Sequence, residues 1–122
     1  MTPHIRAIVA AAAHAVLSGR KVAGLYDHAA DRHLRIAAEC RDGRLQGMDA
    51  VRGVRFGGTL PDLYDEGEQA FISLEADGAT ARGYDRGSAS FYEARISDRT
   101  IQLYDHEKAA WFAFEAQLAE PG

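Results

Sequence analysis

Residues 84–112 read YDRGSASFYEARISDRTIQLYDHEKAAWF, and the stretch carries one short pattern twice. Tyr84-Asp85 and Tyr104-Asp105 each close a run of alternating residues. Seven residues after each tyrosine an aromatic opens the next run, Phe91 in the first case and Trp111 in the second. Tyr64-Asp65, with Phe71, is an earlier copy, so that three copies are spaced by 20 residues each. Tyr26-Asp27 is a more distant one, and the tetrapeptide Leu25-Tyr26-Asp27-His28 returns unchanged as Leu103-Tyr104-Asp105-His106. A period of this length, with a turn signal midway, is two strands and two turns, so each unit is one hairpin.

Alternation then assigns the faces. An even-length turn centred on His106 and Glu107 puts Gln102, Tyr104, Trp111 and Ala113 on one face, with Ile101, Leu103, Phe112 and Phe114 on the other. The second face is the expected core. It continues through Ala116 and Leu118 and has counterparts in Ile72, Leu74, Tyr92, Ala94 and Ile96. In an up-and-down meander every second turn lies at the same end of the sheet, so Asp27, Asp65, Asp85 and Asp105 are expected on one rim. The midway turns at Arg41-Asp42-Gly43, Ala76-Asp77-Gly78 and Ser97-Asp98-Arg99 belong to the other.

Outward from this stretch, short β-prone runs between Gly and Asp turn signals begin after Gly19. The expected strands are 22–26, 33–39, 44–49, 54–57, 70–76, 80–84, 90–96, 100–104 and 111–118. Residues 58–61 read as a bend or as part of a strand running on to Tyr64. Ahead of Gly19 the period is helical: Ile5, Ile8, Val9, Ala12 and Val16 fall at steps of three and four, with Arg6 and His14 off the stripe. Thr2-Pro3 supplies an N-cap and first-turn proline, and Ser18-Gly19 the stop. The expected fold is therefore α+β and mainly β. It has one domain over residues 1–122, with an amphipathic helix over about 3–17 followed by an antiparallel hairpin meander of about eight or nine strands over 22–118. The sheet is strongly curved or closed as a small barrel, and the helix packs on it or into it.

The chain has 122 residues, 47% of them apolar and 26% charged, the composition of an ordinary globular domain. A net charge of -4 and a pI near 5.7 argue against capture of a phosphate backbone, so nucleic acid is not an expected partner. The alanine-rich run Ala7–Leu17 is interrupted by His14, is preceded only by Arg6 as a basic residue, and falls well short of the roughly 20 residues that span a bilayer. It reads as a helix of a cytoplasmic protein with no membrane partner. The lone Cys40 excludes an internal disulfide and fits a reducing compartment, and its place at a strand end reads as an inert thiol.

The Tyr-Asp pairs followed by glycine, Tyr64 to Gly67 and Tyr84 to Gly87, resemble the YD repeats of large secreted shell and toxin-delivery proteins. The likeness covers roughly half of the chain and is read as convergence on one hairpin solution, so it implies no activity here.

Two constellations are candidates for function. Asp27, His28, Asp105 and His106 have the side chains to ligate a divalent ion or move protons, and the two Asp-His pairs meet only if the first and last hairpins approach. The competing account is that each aspartate starts a turn by binding the backbone two residues on. Asp65 and Asp85 favour that account, because they hold the same repeat position without a histidine. The second constellation is the row Tyr64, Phe71, Tyr84, Phe91, Tyr104 and Trp111, opposite the aliphatic face. It reads as the seat of the helix, as a sugar- or base-stacking platform, as a lipophilic ligand surface, or as a protein interface. No P-loop, His-Glu-x-x-His or Gly-x-Ser-x-Gly motif occurs, and no cofactor is implied. These features point to a non-enzymatic β module that meets a protein partner or its own copy. Self-association gains a reason if an open meander leaves edge strands to cover. The alternative is a barrel that holds a small apolar or aromatic ligand inside, and a rim Asp/His enzyme comes third.

Overall fold

A computed structural model describes residues 1–119. The helix α1 spans Pro3–Ser18, and twelve strand segments follow. They are β1 Val22–Asp27, β2 Arg32–Leu34, β3 Ile36–Arg41, β4 Arg44–Asp49, β5 Val54–Thr59, β6 Asp62–Asp65, β7 Ala70–Ser73, β8 Glu75–Asp77, β9 Thr80–Asp85, β10 Ser90–Ser97, β11 Thr100–Asp105 and β12 Ala110–Leu118. Two of these are halves of interrupted strands: β2 runs into β3 past Arg35, and β7 into β8 past Leu74. The sequence reading of nine strands gains one, because the stretch from 58 to 65 divides into the end of β5, the Leu60-Pro61 turn and a separate strand β6.

All pairings are antiparallel, and they run β10-β11-β12-β1-β3-β4-β5-β6-β7-β9, with β9 pairing back onto β10. The sheet is thus a closed ten-stranded barrel made of five hairpins. Closure removes the free edges on which the strand-pairing argument for self-association rested. The hairpins join by a repeated bond. The residue after each rim aspartate donates its N–H to a carbonyl of the hairpin before it: Glu66 to Arg55, Arg86 to Phe71, His106 to Phe91, His28 to Ala113 and Ala50 to Arg35, at 2.8 to 3.2 Å. A second set of five closes the opposite rim, from Leu60 to Gly43, Leu74 to Pro61, Ile96 to Ala79, Ala116 to Arg99 and Ala119 to Lys21.

The rim turns share one construction. Asp27 accepts from the N–H groups of Ala29 and Ala30, Asp49 from Val51 and Arg52, Asp65 from Glu68, Asp85 from Gly87, and Asp105 from Glu107 and Lys108. The residue four places after each aspartate, in turn Asp31, Gly53, Gln69, Ala89 and Ala109, has positive φ and starts the return strand. Each aspartate has the inward parity of its strand. It lies under its own turn, and all but Asp27 are buried.

The helix fills the barrel. Ala10, Ala11, Ala12 and Ala13 all have zero exposure, and four successive helical positions point in four directions about 100° apart, so every side of α1 meets the wall. Its Ile5, Ile8 and Val9 pack with Leu25, Ile36, Leu45, Leu63, Ile72, Leu103 and Phe114 in one core. Eight strands leave an interior just wide enough for side chains, and ten leave room for a helix only if its side chains are small. That is the physical reason for the alanine run. Of the two expected placements the helix takes the one inside the sheet, and the stripe Ile5, Ile8, Val9, Ala12 and Val16 does not mark its only buried side: Val16 is half-buried, whereas Ala7, Ala10, Ala11, Ala13 and Ala15 are enclosed too. His14, expected off the stripe, is also buried, with Nε2 2.7 Å from the Asp98 carbonyl. Sixteen residues give α1 a length of about 24 Å, enough to run from rim to rim. Thr2 caps its start by accepting from Ile5 N–H at 3.2 Å, and Gly19 ends it with φ 69°. Met1 and Arg6 reach Asp105 at the aspartate rim. No helix among the described residues is long and apolar enough to cross a membrane.

Candidate functional site

With the core inside, the barrel meets other molecules at its two rims and on its outer wall, and the strand registers fix which side chains are neighbours on that wall. Tyr64 pairs with Phe71, Tyr84 with Phe91, Tyr104 with Trp111 and Tyr26 with His33, each directly across a hairpin. The rings meet at 4.8 to 5.1 Å between centroids, tilted or edge to face, which is the favoured geometry for aromatic pairs. The fifth hairpin puts Met48 opposite Arg55 at the same place. Each pair lies one rung in from the aspartate pair that ends its hairpin.

All six aromatics of the expected row therefore stand on the outer face. None of them seats the helix, which lies on the other side of the wall. Phe71, Phe91 and Trp111 are 51%, 62% and 49% exposed. The row is not one flat platform. In a ten-stranded barrel each strand turns about 36° around the axis, so pairs on successive hairpins face directions roughly 72° apart. One flat partner can meet two neighbouring pairs but not all three.

The richest such region lies on β9 to β12. Glu75, Arg82, Glu93, Tyr104 and Trp111 form one lateral row across adjacent strands, and Tyr84 and Phe91 lie in the next row towards the aspartate rim. His106 sits beside Phe91 there, its N–H bonded to the Phe91 carbonyl, and its ring meets Tyr104 edge-on at 4.8 Å. Arg95 lies over the Trp111 ring at 5.4 Å. A surface concavity of about 400 Å³ opens between Ser73, Glu75, Tyr84, Phe91 and His106.

The Asp-His candidates take another form. The barrel does bring β1 beside β12, yet no group of three or more His, Cys, Asp or Glu side chains converges for a metal among the described residues. His28 stands edge-on to Tyr26 at 4.9 Å, as His106 does to Tyr104, both at 81°. The repeated tetrapeptide thus makes the same local packing twice, with the histidine turned outward onto the tyrosine. The carboxylates are occupied: Asp27 holds two backbone N–H groups, while Asp105 holds two and also lies 3.3 Å from Arg6 and 3.4 Å from the Met1 ammonium. Tyr26 donates to Asp31, and that bond, together with burial and the neighbouring aspartates, raises its pKa. Cys40 is half-buried, and desolvation pushes its thiol upward, consistent with low reactivity.

Sequence reasoning missed a second concavity on the far side of the barrel, over β3 to β6, where outward-facing Gly57 leaves the wall bare. The adjacent glycines Gly57 and Gly58 are its sequence signal, though they read equally well as a bend. No family model, curated protein or solved structure matches this chain.

Proposed function

We propose that the chain is a non-enzymatic β module that binds a protein surface, a second copy of itself being the first to consider, through the aromatic face of β9 to β12. The observation that carries this reading is the exposure of Phe91 and Trp111 within two ring clusters, Tyr84 with Phe91 and Tyr104 with His106 and Trp111, on adjacent hairpins. Rings held edge to face on a rigid barrel lose little freedom on binding, and aromatic and arginine side chains dominate the energetics of protein contacts. Glu93 and Arg95 put both signs of charge beside the rings, as a surface that meets its own image requires.

A ligand held inside the barrel has less support, because the aliphatic face packs against α1. The gap left beside Ile8, Val9 and Phe56 is too small for water. The outer wall also carries Arg82, Glu93, Arg95, Gln102 and Glu115, which suits water and not lipid. A cytoplasmic location fits the single unpaired thiol.

The test is the mass of the purified chain by light scattering over a range of concentrations. Wild type is expected to form a dimer with rising concentration, and a Phe91→Ser, Trp111→Ser double variant to stay monomeric with an unchanged melting temperature. Equal association by the two proteins would remove the aromatic face as the interface. A wild type that stays monomeric throughout would end the self-association reading.

A further inference from the structure

We propose that the groove over β3 to β6 binds a small planar anion, an aromatic ring bearing a carboxylate or phosphate. The groove has a volume of about 580 Å³, within the range of small-molecule sites. Its shape follows from glycine. Phe56 points inward, so Gly57 faces outward, where its cross-strand neighbours are Gln46 on β4 and Tyr64 on β6. Gly57 has φ 151°, and a Cβ there would come within 2.3 Å of the Leu45 carbonyl oxygen, so no side chain is tolerated. The result is a flat strip of backbone with the Tyr64 ring along one side.

Charge decides the class of ligand. In a chain of net charge -4, this lining carries Lys21, Arg44 and Arg55 against Glu39 and Glu66. Glu39 is already held by Arg41 at 2.7 Å. Arg44 and Arg55 make no ion pair among the described residues, and they stand on either side of the Gly57 strip along the strand direction, since Arg44 pairs with Thr59 and Arg55 with Met48. An unpaired guanidinium at each end of a flat floor suits a ring that lies on the glycine and places its anionic group on one arginine through charge-assisted hydrogen bonds. In the ring of ten strands β5 lies opposite β11, so this site and the aromatic face are separate.

The experiment is an amide-resonance titration of the whole chain with 1-naphthoate and, separately, with the neutral 1-naphthalenemethanol. Naphthoate is expected to give saturable shifts at Gln46, Gly57, Gly58 and Tyr64, and the alcohol to bind roughly tenfold more weakly or not at all. The Arg44→Gln, Arg55→Gln double variant should keep the wild-type spectrum elsewhere and lose the naphthoate response. Three results would each overturn the proposal: no saturable shift with naphthoate, equal binding of the alcohol, or an undiminished response in the double variant. Shifts confined to Tyr84, Phe91 and Trp111 would move the binding to the other face and equally end it.

Discussion

Arg52 joins Asp65 through two parallel hydrogen bonds, its terminal nitrogens donating to the two carboxylate oxygens at 3.0 and 2.9 Å. Its Nε donates to Asp49 at 2.6 Å. Asp49 ends β4 and Asp65 ends β6, so one side chain ties the turns of two neighbouring hairpins, and both carboxylates are fully buried. Burial alone lowers the arginine pKa, but the bonds to Asp65 and then Asp49 outweigh it and leave a net rise.

Removing that guanidinium strands two buried carboxylates. Arg52→Met is expected to destabilise the fold by about 3 kcal/mol, in the range seen when one partner of a buried ion pair is deleted. Arg52→Lys should recover only part of this, because an ammonium cannot reproduce the two-pronged fit. Urea denaturation measures both. A loss below about 1 kcal/mol for Arg52→Met would place the cluster with ordinary surface pairs.

Gly47 and Phe56 are coupled by shape. They are cross-strand partners with inward parity, and the phenyl ring lies over the glycine so closely that an added Cβ would sit 2.2 Å from Cζ. Gly47→Ala is therefore expected to cost about 2 kcal/mol through overpacking. The obstacle is a side chain, so shortening it should help: Gly47→Ala with Phe56→Leu is expected to be less destabilised than the sum of the single changes, a favourable coupling of about 1 kcal/mol. Strict additivity in a denaturation cycle would show that the ring is not what excludes the methyl group.

The residues themselves explain how far the sequence could be read. Alternation in 90–118 places Tyr92, Ala94, Ile101, Leu103, Phe114 and Ala116 inside and Tyr104 and Trp111 outside, because a one-residue slip would turn a whole strand over. The fifth rim turn escaped notice because it begins at Met48-Asp49, without tyrosine and off the 20-residue spacing. The shared element that would have found it, a left-handed residue four places after the aspartate, is concealed by identity: Gly53 and Asp31 advertise it, whereas Gln69, Ala89 and Ala109 do not. The aromatic row was legible as a row. Its division into faces about 72° apart depends on closure, which no local pattern encodes.

Tyr92 makes the stability of the barrel pH-dependent at high pH. Its buried hydroxyl donates to the Ser73 carbonyl at 2.8 Å, and burial, with a smaller contribution from the charge of Asp85, raises its pKa well above the ordinary tyrosine value. In the unfolded chain the same group ionises near its usual value of about 10. Below that pH both states keep the proton and stability is unaffected. Above it the unfolded state gains by releasing a proton that the folded state retains, so stability falls as pH rises. Tyr92→Phe should lower stability at neutral pH by about 1 kcal/mol, the net worth of the hydrogen bond, and make the alkaline decline shallower. Denaturation midpoints for the two proteins on both sides of pH 10 decide this, and parallel declines would rule Tyr92 out as the source.

The central position of α1 makes a demand that a helix lying on a sheet would not. A helix on a sheet turns at least one of any four consecutive positions to solvent, and there a leucine costs next to nothing. Here Ala10, Ala11, Ala12 and Ala13 are all enclosed, and the wall that meets them is itself trimmed at Ala38, Ala81, Ala94 and Ala116. Leucine at each of the four helix positions in turn is therefore expected to cost about 1 to 3 kcal/mol, since the added carbons have only a closed barrel to expand against. Gln102→Leu on the outer wall should stay within about 0.5 kcal/mol of wild type. Urea midpoints of these five variants test the arrangement directly, and wild-type stability in any one of the helix variants would mean that side of α1 is open. The same packing limits function, because a guest can enter the barrel only if the helix leaves it, and the core of α1 would then lose its partners.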